Sequence, residues 1–114
     1  MQPESRKLLE DMRDAAGEIA AITRAQSLEI YKSSRQLRWS VERGFEIIGE
    51  ALTQLRKRDA ALAERISECR KIISFRNVLI HGYGQINPET TWDILQQDLP
   101  RLARELDELL DSSF

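Results

Sequence analysis

Apolar residues recur every three or four positions in four stretches of the chain, and that spacing predicts helices. In the first stretch, Leu8, Met12, Ala15, Ile19 and Ile22 form one stripe over a helix from about Pro3 to Thr23, with Glu4 near its start. The second has an opening turn over Leu28–Lys32 and a break at Ser33-Ser34. A long helix then runs to about Arg58 with Leu37, Val41, Phe45, Ile48, Leu52 and Leu55 on one side. Asp59 to Ile66 reads as a connector with a short helix over Ala60–Ala63. The third helix runs to about His81, with Ser67 as its expected N-cap. Its residues Ile66, Cys69, Ile72, Ile73, Phe75, Val78, Leu79 and Ile80 leave only a narrow polar strip, the pattern of a helix central to its core. Gly82 to Ile86 is a loop. Asn87 then caps a fourth helix, and Pro88 takes its first position, where a missing N–H costs nothing. Trp92, Leu95, Leu99, Leu102, Leu106 and Leu109 form its stripe, and Pro100 inside it predicts a kink near Gln96. Asp111–Phe114 is expected to fray.

No stretch alternates like a strand, so the fold class is all-α: an up-and-down bundle of four main helices plus short helical turns, in a single domain over 1–114. Gly44 and Gly49 lie inside the long helix. Each costs roughly 1 kcal/mol relative to Ala, so both mark close approach of another helix. The two tryptophans look exposed. Together with the apolar excess of the third helix, they leave room for a dimer interface.

Charge narrows the function. Seventeen basic and 19 acidic residues leave a net charge of −2, so any nucleic-acid contact is a local patch rather than a uniformly basic face. The run Arg56-Lys57-Arg58 either binds phosphates or complements its helix dipole. The single Cys69 excludes an internal disulfide and fits a reducing compartment, where it is a small buried hydrophobe. One His and one Cys are poor material for a transition-metal site. With no apolar run of about 20 residues and no apolar core in M-Q-P-E-S-R-K, the expectation is a cytoplasmic protein with no membrane span.

Candidate chemistry gathers in Phe75–Tyr83. Arg76 precedes His81, the only histidine, by five residues, and Tyr83 follows two later. On a helix that spacing is roughly 140° around the axis and roughly 7.5 Å along it, so both side chains can reach one groove at the helix end. Asn77 shares the face of His81. Taken alone, Arg76 either snorkels or pairs with a carboxylate on a neighbouring helix, for which Glu42 and Glu50 are candidates. His81 reads equally as a cation complementing its helix C-terminus. The apolar surroundings place Arg76 and Asn77 where bulk solvent is excluded or where another subunit covers them.

The run Arg76-Asn77-Val78-Leu79-Ile80-His81-Gly82-Tyr83 resembles the R-x4-H-x-Y signature of the HepT-like toxins of the HEPN superfamily. Glu42-Arg43-Gly44-Phe45-Glu46-Ile47-Ile48-Gly49-Glu50-Ala51 is similar to the family's second block, and Trp92 with Asp98-Leu99-Pro100 to its final helix. The likeness covers about residues 6–110. It implies a HEPN-like helical homodimer in which two signatures face one cleft, and a metal-independent endoribonuclease without cofactor. It assigns the chemistry to Arg76 and His81, with Asn77 in support. It also implies a cognate minimal nucleotidyltransferase antitoxin of the MntA type, which attaches AMP to the motif tyrosine, here Tyr83. Tyr83 as a plain packed aromatic is the other reading.

These roles make chemical sense. RNA carries its own nucleophile, the 2′-OH. Histidine titrates near neutrality, and the arginine fork matches phosphate oxygens. The expected product is a 2′,3′-cyclic phosphate. Arg38, Arg43 and Lys71 are further candidate RNA contacts, or else members of surface or intersubunit salt bridges. The competing function is a non-catalytic helical partner of the nucleotidyltransferase that binds nucleotide or substrate.

Overall fold

The computed structural model describes residues 1–82 and 86–111. These form seven helices: α1 (Pro3–Thr23), α2 (Leu28–Ser33), α3 (Arg35–Arg58), α4 (Ala60–Glu64), α5 (Cys69–His81), α6 (Pro88–Gln97) and α7 (Leu99–Asp111). No strand occurs among the described residues. The all-α fold is as the periodicity predicts, with the fourth main helix divided into α6 and α7.

The caps explain the boundaries. Ser34 accepts a hydrogen bond from the N–H of Leu37 at 3.1 Å, which starts α3 where the Ser-Ser break was expected. Asp59 does the same for α4 through Leu62 at 3.1 Å, and Asn87 for α6 through Glu89 at 2.8 Å. Ser67 is not the cap of α5. That place falls to Glu68, which makes no side-chain cap bond, while the backbone N–H and the hydroxyl of Ser67 both donate to Glu105 of α7. Pro100 breaks its helix rather than kinking it: α6 ends at Gln97 and α7 begins at Leu99.

The main helices pack in a row, α5 on α3, α3 on α1 and α1 on α7, while α2 and α6 close one end of the row. The buried stripe of α1 is Ser5, Leu9, Met12, Ala15, Ala16, Ile19 and Thr23. It is rotated slightly from the expected one. Leu8 is only half-buried and Ile22 is exposed, whereas the Thr23 hydroxyl is satisfied by donating to the Ile19 carbonyl at 2.7 Å. Tyr31 and Trp92 stack at 5.4 Å where α2 meets α6, so of the two tryptophans only Trp39 is truly exposed. No helix of the described residues is long and apolar enough to cross a membrane.

The row puts α5 at its edge, which corrects the expectation that α5 is central. Its first half is buried through Cys69, Ile72, Ile73 and Phe75. That half is tied to the α6–α7 corner by Arg101–Glu68 at 3.2 Å and Lys71–Asp98 at 2.7 Å. Its second half leans on α3 and leaves Val78 49% and Ile80 41% exposed, with Ile47 of α3 at 37%. A helix that is apolar all round thus covers the bundle with one face and leaves the other open.

Candidate functional site

The site begins with a missing side chain. A Cβ added to Gly49 would run into Cβ and Cγ of Arg76, so α5 crosses α3 at this glycine and the arginine stem lies on bare backbone. The guanidinium reaches one residue further along α3. Its Nη2 pairs with Glu50, and its Nη1 donates to Oδ1 of Asn77 at 3.0 Å. The Arg76 side chain keeps only 21% of its exposure. A partly buried arginine needs a partner, and Glu50 supplies it. Of the two carboxylates the sequence offers, Glu42 does not pair with Arg76. Its own carboxyl is pushed above the usual range, chiefly by burial, with Arg38 opposing and Glu46 adding to the shift.

This arrangement orients the arginine without consuming it. A guanidinium has five N–H donors in a rigid fork. Glu50 accepts from Nη2 and Asn77 from Nη1, which leaves the Nε–H and a second N–H on each prong for a phosphate.

His81 is exposed in the last turn of α5. It stands five residues beyond Arg76 on α5, about 7.5 Å further along the helix axis. Gly82 ends the helix at φ −78°, and a Cβ there would press on the Val78 carbonyl. Tyr83 lies outside the described residues.

The other candidates are dispersed. Arg43 pairs with Glu46 at 3.3 Å on the exposed face of α3, and Arg38 donates to the Lys32 carbonyl. Lys71 is bound to Asp98 at the far end of α5 and is not brought to Arg76. Sequence reasoning took Gly49 as a mark of close helix approach but not as the seat of Arg76. The signal was present, since a glycine directly precedes a carboxylate that could pair with an arginine. Among the described residues no three side chains gather as metal ligands.

A family model described as ribonuclease HepT-like matches residues 12–109. The chain is 28% identical to a probable ribonuclease HepT of Thermococcus cleftensis over 109 residues, covering 96% of this chain and 98% of the relative. It is 26% identical to a candidate RNase of Methanocaldococcus jannaschii over 101 residues, covering 87% and 90%. No solved structure matches it. With the family model spanning nearly the whole bundle, Arg76 and His81 included, this chain belongs to the HepT-like family of HEPN-type ribonucleases.

Proposed function

We propose that the chain, as a single HepT-like domain over 1–114, is a metal-independent endoribonuclease toxin of a HEPN/MNT toxin–antitoxin pair, acting in the cytoplasm. The observation that carries this reading is Arg76. It is seated on Gly49 and steered by Glu50 and Asn77, with its fork partly free, on a helix that ends in an exposed histidine. The family match and the ribonuclease names of the relatives support the reaction class.

In the proposed reaction His81 takes the proton of the 2′-OH as that oxygen attacks phosphorus. The bond from phosphorus to the 5′ oxygen breaks, and the leaving oxygen receives a proton from the imidazolium of a second copy. The products are a 2′,3′-cyclic phosphate and a 5′-hydroxyl. Arg76 stabilises the charge that builds on the phosphoryl oxygens. The second copy docks on Val78, Ile80 and Ile47, apolar residues open to solvent beside the site, and so sets two signatures in one cleft. The antitoxin silences the toxin by attaching AMP to Tyr83. That modification adds bulk and negative charge two residues from His81, where RNA must enter.

The test is incubation of the purified protein, free of any partner, with total tRNA in a chelator. Cleavage that leaves cyclic phosphate ends and falls about 100- to 10,000-fold in His81→Ala is expected. Full activity in His81→Ala would overturn the assignment. An unmodified, inactive wild type would favour the non-catalytic partner instead.

A further inference from the structure

The site as built lacks a grip on a polyanion. Each of its cations has an acid beside it, Arg76 with Glu50 and Arg43 with Glu46. Substrate affinity for a strand of phosphates therefore has to come from adjacent surface. Toward its start, α3 carries a shallow depression lined by Arg35, Gln36, Trp39, Ser40 and Arg43. Trp39 is 62% exposed, the highest exposure of any large apolar residue among those described. Its ring is covered on one side by Arg35, whose guanidinium carbon is 5.6 Å from the ring centroid. Arg35 has no salt bridge among the described residues, and the Arg38 guanidinium is spent on a backbone carbonyl rather than on a carboxylate. The acids facing this patch are Glu42, half-buried, and Glu46, already paired.

We infer that Trp39 is a stacking platform for one base of the substrate strand, with Arg35 holding a neighbouring phosphate. The inference rests on the reading of Arg76 and His81 as an RNA-cleaving site. An exposed aromatic between cations is the pattern that binds single-stranded nucleic acid, because every base has a face to stack and every linkage a charge. The alternative occupant, a second copy of the chain, fits less well. The depression holds no aliphatic side chain, and a two-fold contact centred on Trp39 would set these arginines against their own counterparts. The distance also suits a strand. Trp39 and Gly49 are ten residues apart on α3, about 15 Å, or roughly four nucleotides at about 3.4 Å each. A base stacked on Trp39 then sits a few nucleotides from a phosphate held by Arg76 over Gly49.

The probe is a fluorescein-labelled single-stranded RNA with every 2′-OH methylated, which binds but has no nucleophile. Cleavage of the unmethylated strand and sedimentation are measured on the same proteins. In Trp39→Ala, affinity for the methylated strand is expected to fall about 5- to 150-fold, the range of one base stack. KM should rise with it while kcat stays near that of the wild type. Trp39→Phe should recover most of the loss. In a Trp92→Phe background, the fluorescence of Trp39 should be quenched by the methylated strand. Unchanged binding in Trp39→Ala would overturn the inference and leave the nuclease reading intact. So would a loss of binding accompanied by dissociation to a smaller species, since Trp39 would then be a contact between copies. If the wild type binds the methylated strand but never cuts the normal one, the nuclease reading fails while the platform is still decided by the binding series. A wild type that does not bind RNA overturns both.

Discussion

The two seams of α3 differ in what their glycines admit. At Gly44 an added Cβ would meet Cδ1 and Cγ1 of Ile19 at 2.7 Å, so the glycine lets an apolar side chain of α1 sink into the core. At Gly49 the intruder is Arg76, and what sinks in is only its stem. The α1–α3 seam is closed by Met12, Ile19, Val41 and Ile48, all fully buried. The α3–α5 seam is closed at its inner side by the edge-to-face pair Phe45–Phe75 at 5.4 Å, and its outer side ends in an ion pair and exposed apolar residues. One seam stabilises the bundle. The other spends part of its packing on holding a charged group at the surface. Two glycines that look alike in sequence therefore serve different purposes, and substitution separates them.

The largest effect is expected at the outer seam. Gly49→Ala places a methyl group against the Arg76 stem close to α5 backbone, where no flexible chain end can yield. The guanidinium must move by about 1 Å, a displacement that costs on the order of 100-fold in turnover. RNA cleavage per folded molecule should fall accordingly while the far-ultraviolet circular dichroism stays helical. Wild-type cleavage in this variant would show that the placement of Arg76 over Gly49 has no role in the reaction.

A smaller effect is expected when the steering carboxylate loses its charge. Glu50→Gln keeps the shape of the partner but frees Arg76 from its counter-ion. Without that anion, RNA should bind more tightly, and with a less fixed fork it should react more slowly. KM and kcat are expected to fall together, kcat by about tenfold, equivalent to about 1.4 kcal/mol. A rise in KM with kcat unchanged would contradict the steering role.

What the sequence disclosed follows the same division. Boundaries set by neighbours in the chain were legible: Ser34 and Asn87 cap their helices because each needs only N–H groups two or three residues away. Ser67 was misread because its partner, Glu105, lies 38 residues on and belongs to another helix. The stripe of α1 was legible only to within a fraction of a turn, since Thr23 can be buried by bonding its own backbone while Ile22 faces out. The spacing of Arg76 and His81 was plain, and so was the choice between Glu42 and Glu50. Which carboxylate pairs depends on where two helices cross, and Gly49 decides that. The open face of α5 was legible only as an apolar excess that left room for a dimer interface, not as a position in the bundle. Its composition is that of a buried helix, and its exposure follows from its place at the end of the row.

At the inner seam the expected effect is on stability alone. Gly44→Ala gains about 1 kcal/mol of helix propensity and meets the flexible end of Ile19, whose displacement costs about 1–3 kcal/mol. Thermal unfolding should show a net loss of about 1 kcal/mol, with cleavage per folded molecule unchanged. A loss of cleavage as large as in Gly49→Ala would erase the distinction between the seams.

The smallest effect is a pH signature of the core. Tyr31 is buried where α2 meets α6, and its hydroxyl is pushed up to about 12, chiefly by burial and further by the Glu42 carboxylate, with Thr91 and Arg38 opposing. The ordinary value is 10.0, so between the two the unfolded chain has lost a proton that the folded chain keeps. Fewer protons on the unfolded state mean that stability falls as pH rises. The Tyr31 contribution is complete below about pH 10 and is reduced by about 1 kcal/mol near pH 11. Lys7 and Lys71, also raised by their acidic partners, lose stabilisation in the same direction, so the alkaline slope of the wild type is not due to Tyr31 alone. Tyr31→Phe isolates it. Denaturant unfolding of the variant should match the wild type closely at neutral pH, because a buried hydroxyl is replaced by hydrogen in a shape that still packs on Trp92. The variant should then lose less stability than the wild type between about pH 10 and 12, by the amount assigned to the phenol. Parallel curves for the two proteins would mean that the Tyr31 hydroxyl reaches solvent, and that the α2–α6 end is as open as the edge formed by α5.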